Sequence, residues 1–209
     1  MKIQSSGELG TALSTLNDFL RSRRSIRAFT GKPIPEDVLR EILETATYAP
    51  SAHGMQPWRF VVVEGQSARK ALGAALTGRM QSDMTADNAP EAEIRQRVER
   101  SLSRINAAPR IILLCRDCEA VRIPCPQEEQ MGMQSLAMAG LQLMLAAHAH
   151  GIGSVWICWP LYAPEETRHA LSLPEAWQPQ GMLLLGYPAK LPGEKILKPI
   201  EKVTRFHKD

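Results

Sequence analysis

The chain has 209 residues, 44% of them hydrophobic, and 25 lysines and arginines against 22 aspartates and glutamates leave a formal net charge of +3. A balance so close to neutral argues against bulk capture of nucleic acid or of a membrane surface, which needs a basic stripe. The opening MKIQSSGELGTALSTLNDFL is polar where a signal peptide needs an apolar core, no later apolar run approaches membrane-spanning length, and four cysteines without an export signal suit a reducing, cytoplasmic setting.

In chain order, TALSTLNDFLRSR sets Leu13, Leu16, Phe19 and Leu20 at helical spacing. It runs into RRSIR, residues Arg23 to Arg27, and then into a looped or extended stretch broken by Gly31, Pro33 and Pro35. PEDVLREILETATYA is expected to be an amphipathic helix opening on a proline, followed by the irregular PSAHGMQPW and the apolar strand RFVVVEG. Residues 78–109, polar and rich in Arg and Glu, are expected to form a partly exposed helical excursion. RIILLC suits a buried strand. EEQMGMQSLAMAGLQLMLAAHAHG suits a central helix, apolar nearly all round and closed by Gly151. GSVWICW and GMLLLGYP complete the strands, with the short helix APEETRHAL between them. The tail AKLPGEKILKPIEKVTRFHKD, rich in proline and lysine, is too irregular to pack by itself and is expected to lie across another surface such as a second subunit. No long repeat or low-complexity block divides the chain, so residues 1–209 are expected to form one domain.

The arginine cluster is the first candidate for chemistry. If RRSIR is extended, Arg23, Ser25 and Arg27 turn to one side, and two guanidinium forks with a hydroxyl suit a phosphate monoester. A solvated basic helix end explains the same charges. In APSAHGMQPWRFVVV, Ser51, the backbone about Gly54 and the Gln56 amide could approach a polar planar ligand; the alternative is a rigid turn with Trp58 as a packing residue. Cys115, Cys118 and Cys125 in CRDCEAVRIPC lack a convincing fourth ligand, so a strand-end cysteine and two loop thiols are favoured over a metal centre. His148 and His150 suit the end of the long helix as capping groups, and Met131, Met138 and Met144 suit core or dimer packing.

Taken together, RRSIRAF, APSAHGMQPWRFVVV, AAHAHGIGSVWI and LLLGYPAKLPGEKILKPIEKV resemble, in order and spacing, the nitroreductase family of flavin mononucleotide enzymes. The stretches IRQRVERSLSRINAAPRIILL and LSLPEAWQPQGMLLLGYP look most like the flavin-binding C-terminal domain of the bifunctional enzyme that completes deazaflavin coenzyme F420. The resemblance implies an α+β fold, a mainly antiparallel sheet surrounded by helices, in an intertwined homodimer with FMN at its interface. It implies that Arg23, Arg24, Ser25 and Arg27 hold the FMN phosphate and ribityl chain. Pro50, Ser51 and Ala52 would reach the ring from the partner subunit. Trp156, Ile157, Cys158 and Trp159 would line it, largely through backbone groups, and Lys195 or Lys198 would complete the phosphate site. Gly54 stands where many members have asparagine, a loss that His53 could offset. Leu197 replaces the basic residue that often precedes Lys-Pro, and Cys158 and Trp159 replace smaller or acidic residues.

The implied activity is ping-pong hydride transfer from NAD(P)H or a reduced deazaflavin to a planar electron-poor or conjugated acceptor such as a nitroaromatic, quinone or enone. The flavin carries that chemistry and the protein supplies placement, so no side chain is expected as an essential acid or base. The lack of a glycine-rich dinucleotide fingerprint suits a transient nicotinamide visitor. The alternatives are a flavin carrier or sensor crowded by Trp156 and Trp159, and a flavin-fragmenting enzyme of the same fold.

Overall fold

The computed structural model describes the backbone of residues 6–207 and the side chains of residues 13–207. Four strands, β1 (Trp58–Val62), β2 (Arg110–Asp117), β3 (Gly153–Ile157) and β4 (Trp177–Gly186), form an antiparallel sheet in the order β1-β2-β4-β3. Trp58 lies opposite Arg116, Ile112 opposite Leu183 and Trp156 opposite Leu183 from the other side. A register shift between Leu114 and Cys115 bends β2 near its end.

The sheet is covered on both faces, which is why RIILLC and GMLLLG are continuous apolar runs instead of alternating ones. Ile112, Leu114, Leu183 and Leu185 face α2 (Glu36–Ala46) and α5 (Pro126–Ala149). Ile111, Leu113, Met182 and Leu184 face the other way, toward Leu72, Leu76 and Ile105 of α3 (Gln66–Ala86) and α4 (Glu91–Ala107). Helices on both faces of an antiparallel sheet give the α+β arrangement expected from the sequence.

Three expectations need correcting. The excursion starts at Gln66, not Gly78, because α3 sinks Leu72 and Leu76 into the second core while the rest of its surface stays polar. Its junction with β2 is clamped by Arg69, whose Nη1 donates to Ala108 O at 2.5 Å and Nη2 to Pro109 O at 2.7 Å. Burial, and then the neighbouring Arg110, hold that guanidinium below its ordinary value. The α5 helix is not enclosed all round: Leu136, Ala139, Leu143 and Ala147 face the sheet, while Met133, Met138 and Leu141 are exposed. Finally, GSVWICW is a strand only to Ile157, because Pro160 begins the short α6 (Trp159–Tyr162).

The α1 helix (Ser6–Ser22) exposes Leu13, Leu16 and Leu20. The α7 helix (Pro164–Ala170) leads to β4, after which Ala189 N donates to Ala28 O at 3.0 Å. Beyond that bond Arg24 holds the tail at Gly193, and the residues after it are largely exposed, Ile196 at 98% and Phe206 at 81%. Among the described residues no helix is long and apolar enough to cross a membrane.

Candidate functional site

The arginine cluster sits where α1 hands over to the outer edge of β3. Ile26 N donates to Ser154 O at 3.0 Å, and Ser25 and Ser154 form a parallel bridge. Ile26 enters the core against Gly153, where a β-carbon would lie 2.7 Å from Ile26 Cβ. Alternation along an extended chain therefore turns Ser25 and Arg27 away from that core. Arg27 is exposed, Ser25 half-buried. Arg24 Nη2 donates to Gly193 O at 2.5 Å, which brings the tail to the cluster.

Arg23 is different. Its Nη1 is buried and has no hydrogen-bond partner. The side chain borders a cavity of about 210 Å³, together with Ser22, Arg24, His148, Ser154 and the glycine-containing turn after α5. No carboxylate lines this cavity. A buried donor without an acceptor costs free energy on the order of 1–3 kcal/mol. The unmet guanidinium is a donor for an anion, set in a lining otherwise made largely by Ile26, Ile152, Pro188, Leu191 and the glycines.

The second predicted element is the loop around Ser51, and its shape is fixed by backbone strain and side-chain clamps. His53 (φ 53), Gln56 (φ 48) and Gly54 (φ 68) all lie in the left-handed region, an uncommon state for the first two. Ala52 N donates to Ser135 Oγ at 3.1 Å, that hydroxyl donates to Met131 O at 2.7 Å, and Gln56 N donates to Ser51 Oγ at 3.1 Å. Pro50 is exposed and Ala52 half-buried. His53 turns toward its own chain: Nδ1 is 3.2 Å from Arg122 Nη1, and Nε2 is 3.7 Å from Glu128.

At the end of β3, the four predicted residues divide. The Trp156 indole lies inside the contact between α5 and the sheet, because both neighbours are glycine. A β-carbon on Gly140 would stand 2.3 Å from Trp156 Cζ3, and one on Gly181 would stand 2.8 Å from Nε1. Its side chain is thus a packing group, half-buried against α5 and β4. Ile157 is buried, Cys158 is exposed, and Trp159 leans into the second core beside a cavity of about 320 Å³ that it shares with Met80, Met84 and Tyr162. Lys195 and Lys198 are exposed on the tail.

One chain does not unite these elements. Ser135, which holds Ala52, and His148, at the arginine cavity, are 13 residues apart on α5, a separation of about 20 Å. Sequence reasoning missed Ser22 and Gly193 as neighbours of the arginines and ranked capping above a ligand role for His148. The helix-end position of HAHG was the available signal. That turn closes as expected, with Gly151 at φ 70 and Ile152 N donating to Ala147 O at 2.9 Å.

The thiols give a sharp test of the geometry. Burial pushes Cys115 up to about 12, Cys118 Sγ accepts from Arg116 Nη2 at 3.3 Å, and Cys158 is exposed. The thiolate is the reacting form. A colorimetric thiol reagent at pH 8 is expected to modify Cys158 in the folded protein and Cys115 only after denaturation. Equal rates for all four thiols would contradict the placement of β2 and β3.

The family model described as "Nitroreductase family" matches residues 20–187. The chain is 33% identical over 195 residues, 87% of its length and 91% of the relative's, to an NADH dehydrogenase of Thermus thermophilus. It is 30% identical over 190 residues, 90% of its length and 91% of the relative's, to a provisionally named NAD(P)H nitroreductase, YfhC, of Bacillus subtilis. A crystal structure of a provisionally named nitroreductase from Desulfovibrio desulfuricans in complex with FMN is similar at a TM-score of 0.73 and 25% identity, over 92% of this chain and 96% of that one. With the motif order, the antiparallel α+β fold and a family match from α1 to the end of β4, the chain belongs to the nitroreductase family.

Proposed function

We propose that the chain is an FMN-dependent oxidoreductase that works as a homodimer and passes a hydride from NAD(P)H, or a reduced deazaflavin, to a planar electron-poor or conjugated acceptor. The observation that carries the reading is Arg23 Nη1, buried and unpartnered at a cavity with no carboxylate in its lining. The FMN phosphate would give that donor its missing acceptor, at the side of the cavity where Arg23 meets the edge of β3. Arg23 would hold it through charge-assisted hydrogen bonds, with Ser25 and Arg27 next along the edge of β3, and the tail lysines Lys195 or Lys198 would complete the shell.

Bound there, the flavin would supply the two-electron redox chemistry between donor and acceptor. The protein's own residues hold and shield it. The backbone at Trp156, Ile157, Cys158 and Trp159, on a strand end anchored by the Trp156 indole, would hold the ring edge. The loop at Pro50, Ser51 and Ala52, with His53 and Gln56, clamped through Ser135 Oγ and Ser51 Oγ, would meet a face of the ring. The distance of about 20 Å along α5 between that loop and the arginines favours its working from the partner subunit.

The exposed apolar groups favour the same assembly. Leu13, Leu16 and Leu20 on α1, Met133, Met138 and Leu141 on α5, and Ile196, Leu197, Val203 and Phe206 on the tail are exposed apolar groups that a partner subunit would cover. The outer edge of β1, beside a groove lined by Leu39, Leu43, Trp58, Phe60 and Trp177, is open to an added segment such as the partner's tail.

Protein supplied with FMN and freed of excess is expected to be yellow and to lose its flavin absorbance on anaerobic addition of NADH, NADPH or reduced F420. Protein that stays colourless with excess FMN would contradict the proposal; yellow protein that none of these donors bleaches would leave a carrier or sensor. Loss of the flavin itself in oxygen would indicate the flavin-fragmenting alternative.

A further inference from the structure

The loop that would meet the flavin ring spends most of its amides on itself. Gly54 N donates to Ser51 O at 3.1 Å, Met55 N to Ala52 O at 3.0 Å, and Gln56 N to Ser51 Oγ at 3.1 Å. These bonds close the turn but do not fix where the turn sits on the protein. Three side chains do that. Arg59 Nη1 donates to Gln56 O at 3.1 Å, Arg122 Nη1 lies 3.2 Å from His53 Nδ1, and Ala52 N donates to Ser135 Oγ at 3.1 Å. The two arginines are long side chains, Arg59 half-buried and Arg122 exposed. Ser135 is short and only 1% exposed, so its bond is the one that water does not contest.

The geometry of α5 holds that hydroxyl ready. Ser135 Oγ donates its proton to Met131 O at 2.7 Å, one turn back along the helix, which leaves its lone pairs for Ala52 N–H. Leu136 and Ala139, next to it on α5, are buried in the core on that face of the sheet, so the hydroxyl is carried by backbone that packing keeps in place. Glu128, Met131 and Ser135 fall at i, i+3 and i+7, one face of the helix, and Glu128 Oε1 lies 3.7 Å from His53 Nε2. That face of α5 is the seat of the loop. Neither helix formation nor packing asks for a hydroxyl at position 135, because alanine is the better helix former and a buried polar group needs a partner.

We infer that Ser135 is a positioning residue for the flavin, which takes up Ala52 N–H and so sets where Pro50, Ser51 and Ala52 stand against the ring. The inference rests on the FMN reading above. Ser135 acts through the loop and touches no part of the cofactor. Because the loop would meet the ring and not the phosphate, displacing it weakens every flavin alike, whereas a change at the phosphate end is felt by FMN and not by riboflavin.

Fluorescence titrations of the apoproteins with FMN and with riboflavin, for wild type, S135A and S101A, make that separation. S135A is expected to lose about tenfold in affinity for both ligands, by the same factor. S101A removes an equally buried hydroxyl, 3% exposed on α4, whose contact is Met80 Sδ at 3.9 Å, and is expected to bind both flavins as wild type does. That control separates the loss of a buried hydroxyl in general from the loss of this one. Unchanged affinity in S135A, or a loss for FMN alone, would overturn the role of Ser135 and leave the FMN reading intact. Failure of wild type to bind either flavin would overturn both. If S135A does not fold, hydrogen exchange on the wild-type apoprotein decides: the Ala52 amide is expected to exchange at least about tenfold more slowly than the His53 amide, which has no acceptor among the described residues. Equal rates at the two amides would overturn the inference.

Discussion

Replacing Arg23 with leucine is expected to weaken FMN binding about a hundredfold while leaving the apoprotein at least as stable as wild type. Hydrogen bonds to a charged group are each worth about 1.5–3 kcal/mol, and losing the equivalent of one to two of them gives that factor. The stability half has the opposite sign because Arg23 Nη1 is buried without an acceptor. Removing an unmet donor relieves a cost on the order of 1 kcal/mol, reduced here because the residue is only half-buried. A solvated helix-end arginine behaves differently. Its loss would cost a few tenths of a kcal/mol of stability and leave flavin affinity unchanged. Titration of the two apoproteins with FMN, beside their melting temperatures without it, separates the cases: loss of affinity without loss of stability supports an anion site, and the reverse contradicts it.

Gly140→Ala is expected to be the most damaging conservative change in the protein's core, costing about 3 kcal/mol or more. The new β-carbon would lie 2.3 Å from Trp156 Cζ3 and 3.2 Å from Leu114 Cδ1, and the indole cannot retreat because Gly181 fits its other edge, 2.8 Å from Nε1. Either α5 lifts from the sheet or β3 shifts, and both movements displace the strand end that leads to Cys158. For a chain of this size the melting temperature should fall by roughly 10 °C. Trp156→Leu in the same chain is expected to recover about half of the loss, since the smaller side chain vacates the contested space. Denaturant unfolding of the two variants checks this. A Gly140→Ala protein within about 0.5 kcal/mol of wild type would mean that the ring does not fill this gap.

Much of the fold was legible because burial on both faces of the sheet writes itself into sequence as unbroken apolar runs. RIILLC and GMLLLG became β2 and β4, which lie side by side in the sheet. Turn chemistry was equally plain at Gly151. The start of α3 was not legible, since its contribution to the core is a narrow stripe around Leu72 and Leu76 with polar residues on every other side. Nor could the direction of Trp156 be read: an aromatic on a strand can face a ligand or a helix, and only the two glycines opposite it, one on α5 and one on β4, decide the matter. Those glycines are 16 and 25 residues away in sequence. The site divides in the same way. RRSIR announced a local excess of positive charge, but its meeting with His148 depends on packing α1 against the end of α5, a contact 126 residues apart. The clamp of Ala52 by Ser135 spans 83 residues and left no local trace.

The central claim is that an anionic nucleotide tail is held at Arg23 beside the edge of β3. A crystal structure of the protein grown with FMN tests it most directly. A phosphate oxygen is expected within hydrogen-bond distance of Arg23 Nη1, about 2.7–2.9 Å, in the cavity that His148 borders. FMN bound with its phosphate elsewhere, and Arg23 Nη1 still without an acceptor, would contradict it.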